Sequence, residues 1–362
     1  MAKININNEA LKNRLQEAYN NGKITFNDKQ RDKWSKIYGI VGNHSAVHIC
    51  SWTKTNLKNG PACYKRKFYG IDTHRCAEMS PATAWCHEAC VFCWRPMEWY
   101  SRVTMDDSEV DDPVDIINGV VEQRKKLLVG FGGNDKVNKR MFREAYELWP
   151  SHWAISLSGE PTIYPRLGEL ILELRKHPET RSIFVVSNGQ EPEKIWKLKE
   201  MDALPTQLYI SFSTPNPQMF KRIIRSVYQD GWERLMRTLG MLKDLNCRRV
   251  IRITLMRGIN DDDVSVQEFA DILNNVEADY IEIKSYSFLG QSRKRLSYEN
   301  VANHEEVRDF ARRLESKLKS YRFHNEDPNS LIVLLKNINS PYNDFVVGPR
   351  AEQSLKDGDA RI

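Results

Sequence analysis

Residues 83–93, TAWCHEACVFC, place three cysteines directly after a short run, TAWC, that is predicted to be a β-strand. Cys86, Cys90 and Cys93 have the spacing C-x3-C-x2-C, and a loop this short points three thiolates at one centre. Three thiolates hold three irons of a 4Fe-4S cubane, which normally takes four cysteines, so the fourth iron is left open for chemistry. A zinc knuckle completed by His87 is the alternative for the same loop.

Five more β-rich runs follow this loop and alternate with helical periodicity, the pattern of βα units around a parallel sheet. The six runs are TAWC (83–86), WAISLS (153–158), SIFVVS (182–187), QLYISFS (207–213), RVIRITLM (249–256) and DYIEIKSY (279–286). Six units predict an α/β fold, an incomplete (βα)6 barrel of the TIM type that is open on one side. We expect the barrel to span residues 81–345 and a C-terminal tail to span 346–362.

The first 80 residues show no clear βα repeat and are rich in Cys, His, Lys and Tyr. We therefore predict that residues 1–80 form an N-terminal extension packed over the open face. This segment holds three cysteines separated from each other by 12 residues, namely Cys50, Cys63 and Cys76. Equal spacing does not by itself make a metal site, and three nearby histidines keep zinc open as a rival. These histidines are His44, His48 and His74.

Composition limits the class of protein. The 362 residues carry a net charge of +6, which fits a polyanionic partner without requiring one. Seven cysteines, an odd number, favour metal binding or catalysis over disulfides. No apolar run approaches the roughly 18 residues that span a bilayer, and the polar N-terminus lacks a signal-peptide core, so a cytoplasmic protein without a membrane partner is expected.

The motif CHEACVFC (86–93) resembles the signature of the radical S-adenosylmethionine (SAM) superfamily, C-x3-C-x-aromatic-C. In that superfamily SAM chelates the open iron, and one electron cleaves it to a 5′-deoxyadenosyl radical. The resemblance implies that Phe92 lies at the cofactor and that Gly159 and Glu160 of SGEPT receive the methionyl ammonium, although Ser158 replaces the first glycine of the pattern. The remaining candidates for cofactor contact are Asn188, Ser213 and Arg252. Each of these has an alternative role in a helix cap or turn.

The C-x12-C-x12-C arrangement ahead of this motif is similar to that of the tRNA 4-demethylwyosine synthases. The resemblance runs from about residue 30 to 345 and rests on five stretches. They are CHEACVFCWRP, SLSGEPTIYP, VVSNG, SFSTPNP and IEIKSYSFLGQSRKRL. The resemblance implies a second 4Fe-4S cluster on Cys50, Cys63 and Cys76.

The family acts on 1-methylguanosine 3′ of the anticodon in phenylalanine tRNA and takes two carbons from pyruvate to form the tricyclic 4-demethylwyosine, a lyase-class reaction. The resemblance implies an electron donor such as flavodoxin or ferredoxin. It also implies that Lys65 forms a Schiff base with pyruvate, which requires an amine whose pKa is lowered by burial or by cations such as Arg66 and Lys67. Two alternatives stay open: pyruvate binds the second cluster, or Lys65, Arg66 and Lys67 form a solvated run that contacts phosphate.

Contacts to tRNA are expected in the loop after the sixth strand, at Gln291, Ser292 and Arg293. Further basic clusters either follow the tRNA backbone or form ordinary charged surface. They are Lys221/Arg222/Arg225, Arg248/Arg249 and Arg293/Lys294/Arg295. Three tryptophans near the cysteine loop, Trp85, Trp94 and Trp99, either stack on a base or pack in the core.

Two rival functions remain at this point: a radical-SAM activating enzyme or peptide maturase, and an RNA-binding module with two zinc sites. One chain that holds both predicted sites suggests a monomer.

Overall fold

A computed structural model describes residue 26, residues 28–100 and residues 104–346 of the chain, with Trp99 described by its backbone only. The predicted tail, apart from residue 346, lies outside the described residues, as do residues 1–25. No helix in the described ranges has the length and hydrophobicity needed to cross a membrane.

The described strands form one mixed ten-stranded sheet with the order β1-β2-β3-β4-β5-β6-β7-β8-β10-β9. The strands are β1 (Gly39–Val41), β2 (Ser45–His48), β3 (Cys76–Ser80), β4 (His152–Ile155), β5 (Ser182–Ser187), β6 (Gln207–Ser211), β7 (Arg248–Leu255), β8 (Tyr280–Ser285), β9 (Tyr321–Asp327) and β10 (Ile332–Asn337). Neighbours from β3 to β8 pair in parallel, whereas β1, β2, β9 and β10 pair antiparallel. The expected α/β class is therefore confirmed, and the sheet is mixed.

Of the described helices, the first three precede the parallel strand β3 and the others come after it. They are α1 (Asp28–Ser35), α2 (Ser51–Asn56), α3 (Tyr64–Tyr69), α4 (Pro113–Gly132), α5 (Lys139–Glu147), α6 (Leu167–Lys176), α7 (Pro192–Glu200), α8 (Pro217–Ile223), α9 (Gly231–Met241), α10 (Asp263–Leu273) and α11 (His304–Lys317). The first long helix, α4, begins as its sequence predicts: the Asp112 carboxylate accepts from the Val114 N–H at 2.8 Å, and Pro113 occupies the first turn.

The prediction that TAWC forms the first parallel strand is wrong. That strand is β3, and Pro81, which has no N–H for a ladder, follows it directly. Residues 83–86 lie in a turn, where Ala84 and Trp85 are fully buried. The apolar character of TAWC thus reflects burial of a loop. Strands β1, β2 and β3 all precede residue 81, so the N-terminal segment contributes to the same sheet.

The two faces of the sheet are covered differently. Helices cover one face and form the main hydrophobic core. The other face packs against α3, whose aromatic residues contact aromatic residues of β5, β6 and β8. These are Tyr64, Phe68 and Tyr69 of the helix and Phe184, Tyr209 and Tyr280 of the strands. This packing brings Cys63 and Lys65 against the sheet.

Candidate functional site

Cys86, Cys90 and Cys93 lie in the loop after β3, where their thiols influence one another. Burial raises the pKa of each thiol. For Cys86 and Cys90 the charge of Glu88 is the next largest cause, and the charge of Cys93 also raises both pKa values. The Cys90 thiol donates to the Glu88 carboxylate at 3.2 Å, and the side-chain amide of Asn188 lies 3.9 Å from the Cys86 sulfur. The charge of Cys93 therefore acts on both of the other thiols in the loop, and a cluster on all three cysteines stays a prediction.

Arg295, in the loop after β8, forms hydrogen bonds with the cysteine loop. Its guanidinium donates to the carbonyl oxygens of Val91 (3.0 Å) and Cys93 and pairs with Glu98. Arg295 is 8% exposed, so its predicted role in a basic surface cluster along tRNA is wrong. The loop is also bonded to the end of α8, where the Ala89 N–H donates to the Ile224 carbonyl at 3.1 Å.

The SGEPT segment follows β4 and packs against the turn that precedes the cysteines. Gly159 has φ +72°, and a Cβ at this position would lie 1.9 Å from the Ala82 carbonyl oxygen, so glycine is required. Glu160 is buried, and its carboxylate accepts from the Ser187 hydroxyl (2.9 Å) and from the Asn188 N–H (2.7 Å). Glu160 therefore joins the loops after β4 and β5.

The other predicted cofactor residues lie in different surroundings. Phe92 is half-buried against the main core, beside the cysteine loop. Asn188 approaches Cys86, as described above. The Ser213 hydroxyl accepts from the Thr254 N–H at 3.0 Å, which ties the end of β6 to β7. Phe92 directly precedes Cys93 in the loop, and Asn188 approaches Cys86 from the loop after β5.

The thiols of Cys50, Cys63 and Cys76 lie near enough for their charges to interact. Burial raises the pKa of all three thiols, that of Cys63 to about 12, and Cys76 is affected by the charges of both other cysteines. In the ranges that the structure covers, no three His, Cys, Asp or Glu side chains converge as ligands of one ion do. The cysteines of a cubane each bind a different iron, so they stand further apart than the ligands of one ion.

Two of the three histidines of the zinc alternative, His44 and His74, make other contacts. One ring nitrogen of His44 lies 2.6 Å from the Pro81 carbonyl oxygen. The other accepts a hydrogen bond from the Asp111 N–H at 2.9 Å. The His74 imidazole lies 2.8 Å from the Glu144 carboxylate.

Lys65 is a buried residue in the first turn of α3. Its Nζ lies 4.4 Å from the centre of the Phe184 ring and 4.8 Å from that of Tyr209. Burial lowers the pKa of Lys65, and the next largest cause is the charge of Arg252. The expectation that Arg66 and Lys67 supply this charge is wrong: Lys67 is exposed and donates to the Glu326 carbonyl at 2.6 Å.

Arg252 lies in the surroundings of Lys65, and its contact with the cofactor stays a prediction. It forms an ion pair with Glu282 at 2.5 Å and donates to the Tyr64 hydroxyl. The Tyr69 hydroxyl donates to the same carboxylate at 2.7 Å. Burial acts to raise the pKa of Glu282, but Arg252 and Tyr69 outweigh it, so the pKa is lowered and the carboxylate stays charged. Sequence reasoning missed Glu282.

The loop after β8 contains both buried and exposed residues. The Ser292 hydroxyl is buried and bonded to the Tyr286 hydroxyl at 2.8 Å, so the prediction that it contacts tRNA is wrong. Gln291 is half-buried, and its N–H donates to the Trp94 carbonyl at 3.1 Å. Arg293 is exposed.

Of the tryptophans near the cysteine loop, Trp85 is fully buried and packs in the core. Trp94 is 42% exposed, and the Arg95 guanidinium lies 3.5 Å from its ring centre. An exposed aromatic ring beside a cation is suited to stacking on a nucleic-acid base.

The basic pair Arg248/Arg249 is not a surface cluster. Arg248 is buried and donates to Gln207 at 2.9 Å, and Arg249 pairs with Asp279 at 2.9 Å. Both arginines therefore stabilise the sheet. Lys221 and Arg222, in contrast, are exposed as predicted.

Two family models match consecutive parts of the chain. Residues 80–270 match the radical SAM superfamily, and residues 275–337 match a wyosine base formation family. A curated tRNA 4-demethylwyosine synthase from Pyrococcus abyssi is 42% identical over 298 residues, which cover 82% of this chain and 85% of the relative. The chain belongs to the tRNA 4-demethylwyosine synthases of the radical SAM superfamily.

Another curated synthase and two solved structures are similar to this chain over most of its length. The enzyme from Methanocaldococcus jannaschii is 37% identical, covering 84% of this chain and 94% of the relative. A structure of TYW1 with a lysine-pyruvate adduct bound superposes with a TM-score of 0.77 at 34% identity, covering 89% of this chain and 99% of that one. An archaeal TYW1 crystal structure gives 0.69 at 31% identity, covering 88% and 99%.

Proposed function

We propose that this chain condenses 1-methylguanosine, 3′ of the anticodon in phenylalanine tRNA, with two carbons of pyruvate to give 4-demethylwyosine, as a lyase-class radical SAM enzyme. The observation that carries the proposal is the burial of Lys65 next to Arg252 and to a second set of three cysteines. An activating enzyme for a protein radical has no need of such an amine.

The proposed architecture is an incomplete (βα)6 barrel formed by β3 to β8. In it, α3 and the cysteines before residue 80 cover the inner, open face. Support comes from the six parallel strands and from the packing of α3 on the face opposite the main core. The proposed enzyme works as a cytoplasmic monomer and takes electrons from a flavodoxin or ferredoxin.

The proposed cofactors are two 4Fe-4S clusters and SAM. One cluster would be held by Cys86, Cys90 and Cys93. The other would be held by Cys50, Cys63 and Cys76. The buried thiols have raised pKa values, so a bound cluster is needed to keep them as thiolates. When bound, the first cluster and SAM would supply the radical chemistry that removes a hydrogen from the N1 methyl group of the base.

The residues around this first cluster would position the cofactor. Gly159 lets the backbone approach the turn before the cysteines, and Glu160 joins the loops on which Gly159 and Asn188 lie. Phe92 would pack against the cofactor, and Ser213 would fix the strand ends below it.

Lys65 would hold pyruvate. Its burial and the charge of Arg252 both favour the neutral amine, which is the nucleophilic form. The nitrogen attacks the C2 ketone, a C–N double bond forms, and the ketone oxygen leaves as water. In the neighbouring TYW1 structure a lysine-pyruvate adduct is bound, which supports the same chemistry here.

The test is an anaerobic assay of reconstituted enzyme with SAM, pyruvate, a reductant and N1-methylated phenylalanine tRNA, followed by mass spectrometry of the nucleosides. We expect a tricyclic product that disappears when pyruvate is omitted. Lys65→Met should abolish the product while 5′-deoxyadenosine is still formed. Lys336→Met, a matched change on β10 where Lys336 pairs with Asp344 at 2.7 Å, should retain activity. If 5′-deoxyadenosine forms but the wild-type tRNA stays unchanged, the proposed substrate is wrong.

A further inference from the structure

Lys284 is a second amine on the inner face of the sheet. It lies on β8 two residues after Glu282, so both side chains point to the same face of the strand. Lys284 is half-buried, and its Nζ donates to the Ser330 carbonyl. Among the described residues no carboxylate lies within ion-pair distance of it. This leaves two of its three N–H donors for another partner.

Both lysines lie near the Arg252–Glu282 pair. The Lys65 Nζ and the Arg252 guanidinium each lie 4.8 Å from the centre of the Tyr209 ring, and Lys284 shares a face of β8 with Glu282. The charges of both Lys65 and Lys284 act on the Cys63 thiol, and the charge of Arg252 acts on both lysines. Arg252 is neutralised by Glu282 at 2.5 Å. Among the described residues, Lys284 is therefore the cation near Lys65 that no carboxylate pairs with.

Burial, followed by the charge of Arg252, lowers the pKa of Lys284 to about 8, so this amine is mostly protonated at neutral pH. Lys65 and Lys284 thus offer different chemistry: one is buried against two aromatic rings, and the other is a half-buried cation with free donors.

We infer that Lys284 binds the carboxylate of the 2-oxo acid that Lys65 holds through its ketone, and so selects an anionic substrate over a neutral ketone. The inference rests on the proposed function. A 2-oxo acid carries its carboxylate on the carbon next to the ketone, so a lysine that binds the ketone leaves the carboxylate for a second cation nearby. A protonated amine recognises a carboxylate through a charge-assisted hydrogen bond.

The competing explanation is that Lys284 only joins β8 to the turn at Ser330. A structural lysine would affect the binding of every ketone equally, or of none. A lysine that binds the carboxylate would affect pyruvate alone. Selectivity between pyruvate and its uncharged methyl ester therefore separates the two explanations.

The experiment traps the imine on reconstituted holoenzyme under anaerobic conditions, without SAM or tRNA. Cyanoborohydride delivers a hydride to C2 of the imine and leaves a stable secondary amine on Lys65, which is located by peptide mass spectrometry. The extent of labelling is measured against the concentration of pyruvate or of methyl pyruvate. The variants are Lys284→Met, Lys284→Arg, Lys65→Met as a site control and Lys336→Met as a matched control.

For Lys284→Met we expect the concentration of pyruvate that gives half-maximal labelling to rise about tenfold or more, the effect of losing one hydrogen bond between charged groups. The value for methyl pyruvate should stay unchanged, and Lys284→Arg should restore part of the preference. An equal change for both ketones, or no change, in Lys284→Met and Lys284→Arg would overturn the inference and leave the proposed function intact. Absence of any adduct on Lys65 in the wild type would overturn both the inference and the proposed role of Lys65.

Discussion

The Glu160 carboxylate accepts a hydrogen bond from the backbone N–H of Asn188 at 2.7 Å and thereby joins two loops that lie beside the cysteine loop. The same carboxylate accepts from the Thr162 hydroxyl at 2.7 Å and from the Ser187 hydroxyl at 2.9 Å. All three partners donate, so the site requires an acceptor.

Glu160→Ala should leave these donors without a partner in a buried place. Because unsatisfied buried donors cost about 1–3 kcal/mol each, we expect a loss of about 3 kcal/mol in the free energy of unfolding, measured by chemical denaturation. Glu160→Gln keeps one acceptor oxygen and should lie between wild type and Glu160→Ala. As a control, Glu169→Ala removes a half-exposed carboxylate that pairs with Arg166, and should change stability by less than about 0.5 kcal/mol. Equal stability of Glu160→Ala and wild type would show that Glu160 does not stabilise the two loops that it joins.

Arg295 should control how the first cluster is held. Arg295→Met removes the donors to the Val91 and Cys93 carbonyls, so the loop of Cys86, Cys90 and Cys93 loses its brace. We expect the reconstituted variant to lose iron from this loop and to cleave SAM slowly, as measured by iron analysis and by formation of 5′-deoxyadenosine.

The matched control is Arg293→Met, which removes an exposed arginine two residues away and should keep its iron. Arg295→Lys keeps a cation with fewer donors and should give an intermediate iron content. Full iron and a normal rate of SAM cleavage in Arg295→Met would show that the loop holds its cluster without this arginine.

Local patterns in the sequence predicted most of the parallel strands. SIFVVS matches β5 (Ser182–Ser187), and RVIRITLM is one residue out of register with β7 (Arg248–Leu255). Both runs are rich in β-branched residues, which fit a pleated, buried surface. The sequence does not predict β3, the first of the parallel strands, because CAEMS contains no β-branched residue and because the buried turn after it is more apolar.

The contacts around Lys65 were not predictable in the same way. Tyr64 donates to Glu282 at 3.1 Å across 218 residues of sequence, and no local pattern encodes such a contact. One signal was present: Glu282 and Lys284 are charged residues at alternate positions of an otherwise apolar strand, so both point to one face. Charges on a buried face need partners or a ligand, which marks the strand as functional.

His152 should make the stability of the protein sensitive to acid. Its ring is fully buried on β4: one nitrogen accepts from the Asp72 N–H at 3.0 Å, and the other lies 2.7 Å from the Ser182 hydroxyl. Because the Asp72 N–H always donates, this nitrogen must carry no proton, and burial lowers the pKa of His152 well below its usual value.

The unfolded chain takes up a proton on His152 near pH 6.5, and the folded protein does so only at much lower pH. The free energy of unfolding should therefore fall as the pH drops below about 6.5, by up to about 1.4 kcal/mol per pH unit for this one group. His152→Gln keeps an acceptor and does not titrate, so denaturation at pH 7.5 and 5.5 should show a smaller decrease in this variant. Identical decreases in both proteins would mean that His152 is not the group responsible.

Trp94 and Arg293 should contribute to tRNA binding in different ways. Trp94 is half-exposed beside the loop of Gln291 and Arg293, and a base that stacks on its ring gains about 1–3 kcal/mol independently of charge. We therefore expect Trp94→Ala to weaken binding about tenfold without changing its salt dependence, and Trp94→Phe to retain most of the affinity. Arg293→Ala should instead lower the slope of log affinity against log salt by about one, because one phosphate contact is lost.

The measurement is a titration of fluorescent phenylalanine tRNA at several salt concentrations. Arg312→Ala, which removes an exposed arginine from α11, serves as the control and should change neither the affinity nor the slope. A lower salt slope in Trp94→Ala would show that this residue acts through charge, for example by displacing the Arg95 guanidinium that lies 3.5 Å from its ring. An unchanged affinity in both variants would place the RNA on another face, and the exposed pair Lys221 and Arg222 would then be the next to substitute.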